Sequence, residues 1–520
     1  MVRTTMANVK TDPLFQLIKS LSKSEKRNFK LYARRLISNE DAKFLKLFDT
    51  MDRMAAYDEH LILQRAPVTK LQLANMKAHL YKQILISLRL KYTDIREELQ
   101  LREQIDFARI LYNKGLYMQS LKLLEKAKVL ASQYNQDLMG LEVVEFEKLI
   151  ESQHITRSLS NRADQLATES STLCQQIHRK NALSNLALKL YGLYLKVGYV
   201  RSEKDKAFVE AFYNANLPSY EIEKLSFDEK LFLYQAQVWY YHIMQDFPLC
   251  YRSAQHWVDL YEEYPLMKKI NTGSYLKGYH YLLDTLFYLQ RYSKFRETLD
   301  KFSEDIEGGR ITLEGSTETL ARMYLYTNRI NKHFMEGTFS KGVNEVLPGL
   351  LAMIDERKPG LDPHHILVLY YKIACLYFGS GDNLNAIAYL KKVTDCREEG
   401  LREDLQCFAR ILHLIALYEE GLDEHLEYQI KSVYKFIVKM NELHQVQQEI
   451  MLFVRNLGRI YEYQLKDEFK KLRSRLLALS EHPYEKRAFL YLDIISWLES
   501  KIENRTVQEV IQGKFASTMR

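Results

Sequence analysis

Glycine and proline are scarce in this chain: 19 and 9 among 520 residues, about half their ordinary joint share of roughly 12%. So few breakers exclude a sheet-rich fold with many tight turns and favour long helices. Cysteine is sparse too. Cys174, Cys250, Cys375, Cys396 and Cys407 are odd in number and scattered, which excludes a disulfide framework and implies reduced, largely buried thiols in the cytoplasm. Long apolar runs are missing. Arg89 interrupts the stretch Ile84–Leu90 and Asp284 the stretch Tyr279–Leu289, and both fall short of the ~20 residues a membrane helix needs. Met1 to Pro13 carries Arg3 and Lys10 without an apolar centre, so no secretory signal is expected.

The chemical signatures of enzymes are also missing. There is no G-x-x-x-x-G-K-[ST], no G-x-S-x-G and no H-E-x-x-H, and Gly379-Ser380-Gly381 sits in a turn between helical patterns rather than after a strand. His364 and His365 are adjacent, so on a helix they point apart; Cys396 and Cys407 lie eleven apart without a second pair. Neither arrangement suits a metal. No cofactor and no enzymatic activity are expected.

What is present is amphipathic helix with an uneven charge. The first 100 residues hold 19 Lys/Arg against 11 Asp/Glu, a net of +8, and the other 420 hold 55 against 56. The basic part, residues 1–97, reads as several short helices. Asp12-Pro13 opens the first, Ser22-Lys23-Ser24-Glu25 is a capping box for the second, and a third runs from about Glu40 to Met54. A short helix from Asp58, a turn at Ala66-Pro67-Val68 and a long helix from Lys70 to Tyr92 have the outline of a helix-turn-helix. Lys70, Lys77, Lys82 and Arg89 on that long helix are the residues that would contact nucleic acid. Basic solvated faces are common on helices, so this is the alternative reading.

From about residue 98 the helices pair. Turns fall at Gly115, Gly198, Gln245, Gln290, Gly337, Gly381 and Gly421, with gaps of 83, 47, 45, 47, 44 and 40, the first spanning two units with a further turn near Arg157. Five positions after a glycine comes a small residue (Ser120, Gly342, Ala386) and nine after comes a larger apolar one (Leu124, Val346, Leu390). These units resemble tetratricopeptide repeats, best over Ala374, Tyr377, Gly381, Ala386, Leu390 and Val393, although the spacing exceeds that family's 34 residues. The opening segment from Asp12 through Arg35 also looks like the start of uncharacterised bacterial repeat proteins.

The resemblance implies an all-α fold: a right-handed α-α superhelix over residues 98–480 behind a small helical domain at 1–97. Residues 481–520 are expected to be capping helices, the first running from Tyr484 to about Ile502. It implies a non-enzymatic scaffold that grips a peptide or partner protein on the concave face of its first helices. Counting back from the turns selects Arg102, Arg109, Asn185, Lys189, Asn328, Asn331 and Lys372 as exposed donors on that face. Tyr112, Tyr191, Tyr324, Tyr377 and Tyr418, late in first helices, are expected to pack between units.

Overall fold

A computed structural model describes residues 12–35, 41–154, 161–355, 361–396, 403–422, 426–439, 445–457, 461–482, 484–485, 489 and 493–519. The expected turn near Arg157 lies outside them. Among the described residues the chain forms α-helices and one short 3-10 turn, with no strand. It divides into two compact units, Met1–Ile177 and His178–Arg520.

In the first unit, α1 (Pro13–Ser20), α2 (Lys23–Arg35), α3 (Asp41–Arg53), α4 (Glu59–Arg65) and α5 (Lys70–Thr93) enclose a core around Phe29, Phe44, Leu47 and Phe48. The expected caps form. Asp12 accepts from the Phe15 amide at 3.0 Å, and Ser22 and Glu25 exchange both hydrogen bonds of a capping box. The hairpin of α6 (Glu97–Asn113) and α7 (Tyr117–Gln133) follows, then α8 (Asp137–His154) and the long α9 (Arg162–Val197), whose residues from His178 on belong to the second unit.

The second unit continues with α10 (Glu203–Asn216) and the hairpins α11 (Phe227–Ile243)/α12 (Phe247–Glu263) and α14 (Thr272–Tyr288)/α15 (Tyr292–Glu307), with short α13 (Pro265–Ile270) between them. Next come α16 (Ser316–Glu336)/α17 (Phe339–Glu345), α18 (Leu347–Asp355), α19 (Pro363–Ser380)/α20 (Asn383–Thr394) and α21 (Glu403–Glu419)/α22 (Leu426–Lys439). The unit ends with α23 (Gln445–Leu457), α24 (Glu462–Ser480), α25 (Ile494–Glu503) and α26 (Val507–Thr518). Each first helix touches its own partner and the next first helix, as α14 does with α15 and α16.

One device ends the first helices. All seven expected turn residues have positive φ, from 53° at Gln290 to 86° at Gly381. At six of the seven, Gly198 excepted, the residue after the turn then donates to the carbonyl five positions back, as Asp246 does to Tyr241 at 2.9 Å and Arg291 to Leu286, Thr338 to His333 and Asp382 to Tyr377 at 3.0 Å. This left-handed cap satisfies carbonyls that the helix end would otherwise leave bare. Gln245 and Gln290 adopt it without glycine's freedom. The small residue five positions on is a contact requirement. Ser120 is buried and its hydroxyl donates to the Ala108 carbonyl at 2.7 Å, while a Cβ on Gly342 would come within 3.0 Å of His333 and Leu376.

The C-terminal region departs from expectation. Tyr484 and Glu485 lie in a turn, and the last-but-one helix begins only at Ile494. The Glu485 carboxylate accepts from the amides of Gln445 and Val446, so it serves the start of α23. Helix α25 is tied to α21 by Trp497, whose indole donates to Glu419 at 2.7 Å. Helix α26 packs against α25, α16 and α19.

Candidate binding cavity

A cavity of about 600 Å³ opens inside the second unit. Its walls come mainly from first helices, one face of each. On α14 the wall residues are His280, Tyr281, Asp284, Phe287 and Tyr288, a spacing of three and four that keeps them on one stripe. Helices α9, α11, α16 and α19 contribute Tyr191 and Tyr194, Trp239 and His242, Tyr324 and Thr327, and Val368, Lys372 and Cys375.

Aromatic rings dominate one end. Trp239 lies 4.7 Å from Tyr191, 5.3 Å from Tyr194 and 4.9 Å from Tyr281, centroid to centroid. Such offset and edge contacts hold large rings in fixed orientations. Tyr191 and Tyr324, expected only to pack between units, therefore also face the cavity. His280 lies flat on Tyr324, centroids 4.1 Å apart and planes 7° off parallel. Burial first, and the nearby Lys372 second, push its pKa down to about 3, so the ring is neutral near pH 7.

A polar chain behind the wall joins it to Lys372. The Lys372 ammonium donates to Asn331 Oδ1 at 2.7 Å and sits 5.8 Å from the ring centres of both Phe287 and Phe334. Asn331 Nδ2 donates to Asn328 Oδ1 at 3.4 Å, and Asn328 Nδ2 donates to the Tyr324 carbonyl at 2.8 Å. A neutral His280 can accept from Asn328 Nδ2 through Nδ1, 3.4 Å away. The structure thus brings Asn328, Asn331 and Lys372 together but corrects their exposure. Both asparagines are 0% exposed, because α16 is packed by α14 on one side and α19 on the other. Counting back from a turn locates a helix face; it does not say whether the next helix covers it.

The other expected donors lie elsewhere. Lys189 is exposed and donates to Asn216 at 3.3 Å, and Asn185 is exposed as well. Lys189 stands two residues before Tyr191, about 200° round the helix, and so faces away from the cavity. In the first unit Arg102 pairs with Glu98 at 3.2 Å, and the Arg109 guanidinium lies 4.7 Å from the Phe146 ring and 3.9 Å from Glu142.

The basic helix α5 does not present one surface. At about 100° per residue, Lys70 and Lys77 share a face while Lys82 and Arg89 lie about 100–120° away. Lys77 is committed within the fold, 2.5 Å from the Asp12 carboxylate and 2.7 Å from Tyr57 Oη. Burial works against its ammonium, but Asp12 and Tyr57 more than offset this and raise its pKa above the ordinary lysine value. Lys70 and Lys82 are exposed, and Arg89 pairs with Asp106 at 3.4 Å.

Three of the apolar wall residues belong to α26, which the sequence placed at the end of the stack: Val507, Ile511 and Phe515. Only their i, i+4, i+8 spacing could have marked that helix as having a face to bury. No helix of the described residues is long and apolar enough to cross a membrane, and no group of metal-ligand side chains was found among them. No family model, no curated protein and no solved structure matches the chain.

Proposed function

We propose that this chain is a non-enzymatic binding protein that holds a polypeptide segment of a partner against the aromatic cavity of its second unit. In this reading the hairpins wind as a right-handed, tetratricopeptide-like superhelix with the first helices on the inner face. The observation that carries it is that successive first helices contribute to a single cavity. A wall of tyrosines, tryptophan and phenylalanines with a few fixed donors is the composition that takes apolar anchors and orients a backbone. His280, Asn328, Asn331 and Lys372 are engaged with one another rather than arranged as nucleophile and base, which supports binding over chemistry. The absence of disulfides among the described residues fits a reducing compartment such as the cytoplasm.

Selection of a displayed random-peptide library on the full chain tests this. Val368→Trp puts an indole into the cavity and should preserve the helical spectrum while weakening the selected peptides at least tenfold. Peptides that bind the variant as well as the parent would remove the cavity from the reading. Binding of a DNA duplex that weakens by about tenfold or more between 50 and 200 mM salt would point instead to phosphate contacts.

A further inference from the structure

Helix α26 covers the cavity on terms unlike those of the other helices. Its Val507, Ile511 and Phe515 face the cavity, yet about 600 Å³ stays open beneath them, whereas packed interiors leave few voids larger than a water. Of its residues only Val510 is fully buried. Two glutamines fasten it to the α16–α17 turn. Gln508 Oε1 accepts from the Ser340 amide at 2.9 Å and hydroxyl at 3.1 Å, and Gln512 Nε2 donates to the Gly337 carbonyl at 3.1 Å. Phe515 meets Tyr292 edge to face at 4.7 Å.

The helix is also locally complete. Thr506 and Glu509 form its own capping box, and Asn504, left-handed at φ 54°, separates it from α25. Besides packing on α25, it is tied to that helix by Lys514, 2.6 Å from Glu499 and 2.8 Å from the Ser496 hydroxyl, with nearly half of the lysine exposed. A partly exposed pair of that kind adds little.

We infer that α26 is a tethered occupant of the binding cavity, and that the partner is an amphipathic helix with apolar residues at i, i+4 and i+8 that takes its place. The inference rests on the cavity being the polypeptide site. A tethered helix competes at an effective concentration on the order of millimolar, so with a micromolar intrinsic affinity of its own it suppresses any partner by roughly a thousandfold until it is loosened.

The experiment uses the full chain and a fluorescein-labelled synthetic peptide with the sequence of residues 504–519. In a full-chain variant carrying Gln508→Ala, Gln512→Ala and Phe515→Ala, the peptide should bind at least tenfold tighter than to the parent chain. Adding Val368→Trp should abolish that gain. Equal affinity for both chains, or no binding to the folded triple variant, would overturn the inference. In that case library-selected peptides that still depend on Val368 would leave the polypeptide site standing. Hydrogen exchange on the unmodified chain decides independently: α26 amides should exchange at least tenfold faster than those of α16 and α19. Exchange only together with those helices would make α26 a fixed part of the fold.

Discussion

His280 is stacked on Tyr324 with their planes 7° apart, which places an imidazole that resists protonation in the wall of the cavity. As pH falls past 6.5 the unfolded chain takes up a proton at this position, whereas the folded chain does so only near 3. The stability that depends on the neutral ring is therefore complete above pH 6.5 and is lost progressively down to about pH 3, an effect of up to a few kcal/mol. His413, pushed down to about 4 chiefly by burial, acts in the same direction. His280→Phe keeps a ring on Tyr324 without the titration. Its melting temperature should fall less steeply than the parent's between pH 6.5 and 4; parallel curves would refute this account.

Asn331 links the Lys372 ammonium to Asn328. Asn331→Leu keeps the branched shape but removes an acceptor of Lys372 and the donor to the buried Asn328 Oδ1, and should cost about 2–3 kcal/mol in urea unfolding. Arg102→Ala, on an exposed pair, should stay within about 0.5 kcal/mol. Equal effects at the two positions would mean that the network contributes nothing.

Gly337 and Gly381 share the left-handed turn but not the space around it. A Cβ on Gly381 meets nothing within 4 Å, while one on Gly337 would stand 2.7 Å from the Gln512 amide nitrogen and 3.1 Å from the Gln508 carbonyl. Asparagine tolerates left-handed backbone. Gly381→Asn should thus cost about 1 kcal/mol or less, whereas Gly337→Asn should also lift α26, seen as faster exchange of its amides. Unchanged exchange in Gly337→Asn would show that the helix does not rest on that turn.

Lys277 stands three residues before His280, with its ammonium 5.4 Å from the centre of the Tyr191 ring, and burial lowers its pKa. The unfolded chain holds that proton more readily, so the buried cation costs stability at neutral pH, and the cost shrinks as pH rises through the lysine range. Lys277→Met should raise stability by about 1 kcal/mol at pH 7. The gain should diminish by pH 10.5. A loss at pH 7 would mean that the contact with Tyr191 outweighs desolvation.

The helices and turns were legible because their causes are local. A left-handed residue needs only its own backbone and the six residues before it, and even Gln245 and Gln290 betrayed themselves by the polar-then-aromatic pattern around them. Asn135 and Asn504 form the same turn, with Gln136 bonded to Ala131 and Arg505 to Ser500, but no glycine drew attention to them. The site was only partly legible, because burial is a property of neighbours. Asn328 and Asn331 look like surface donors until α14 and α19 close over α16. Arg102 and Asn185 have the same sequence appearance and are exposed. The seat of α26 on Gly337 joins residues about 175 apart, and no local pattern carries that pairing.

The Tyr484 hydroxyl donates to the Glu203 carboxylate at 2.5 Å, across 281 positions of the same unit. During synthesis at about 5–20 residues per second, the interval between those two residues is roughly 14 to 56 s. Once Trp239 has followed, the Tyr191, Tyr194 and Trp239 end of the cavity has been made while α26 has not. A newly made chain therefore carries an aromatic surface without its cover, available to a chaperone, and in the proposed reading to the partner, before α26 arrives.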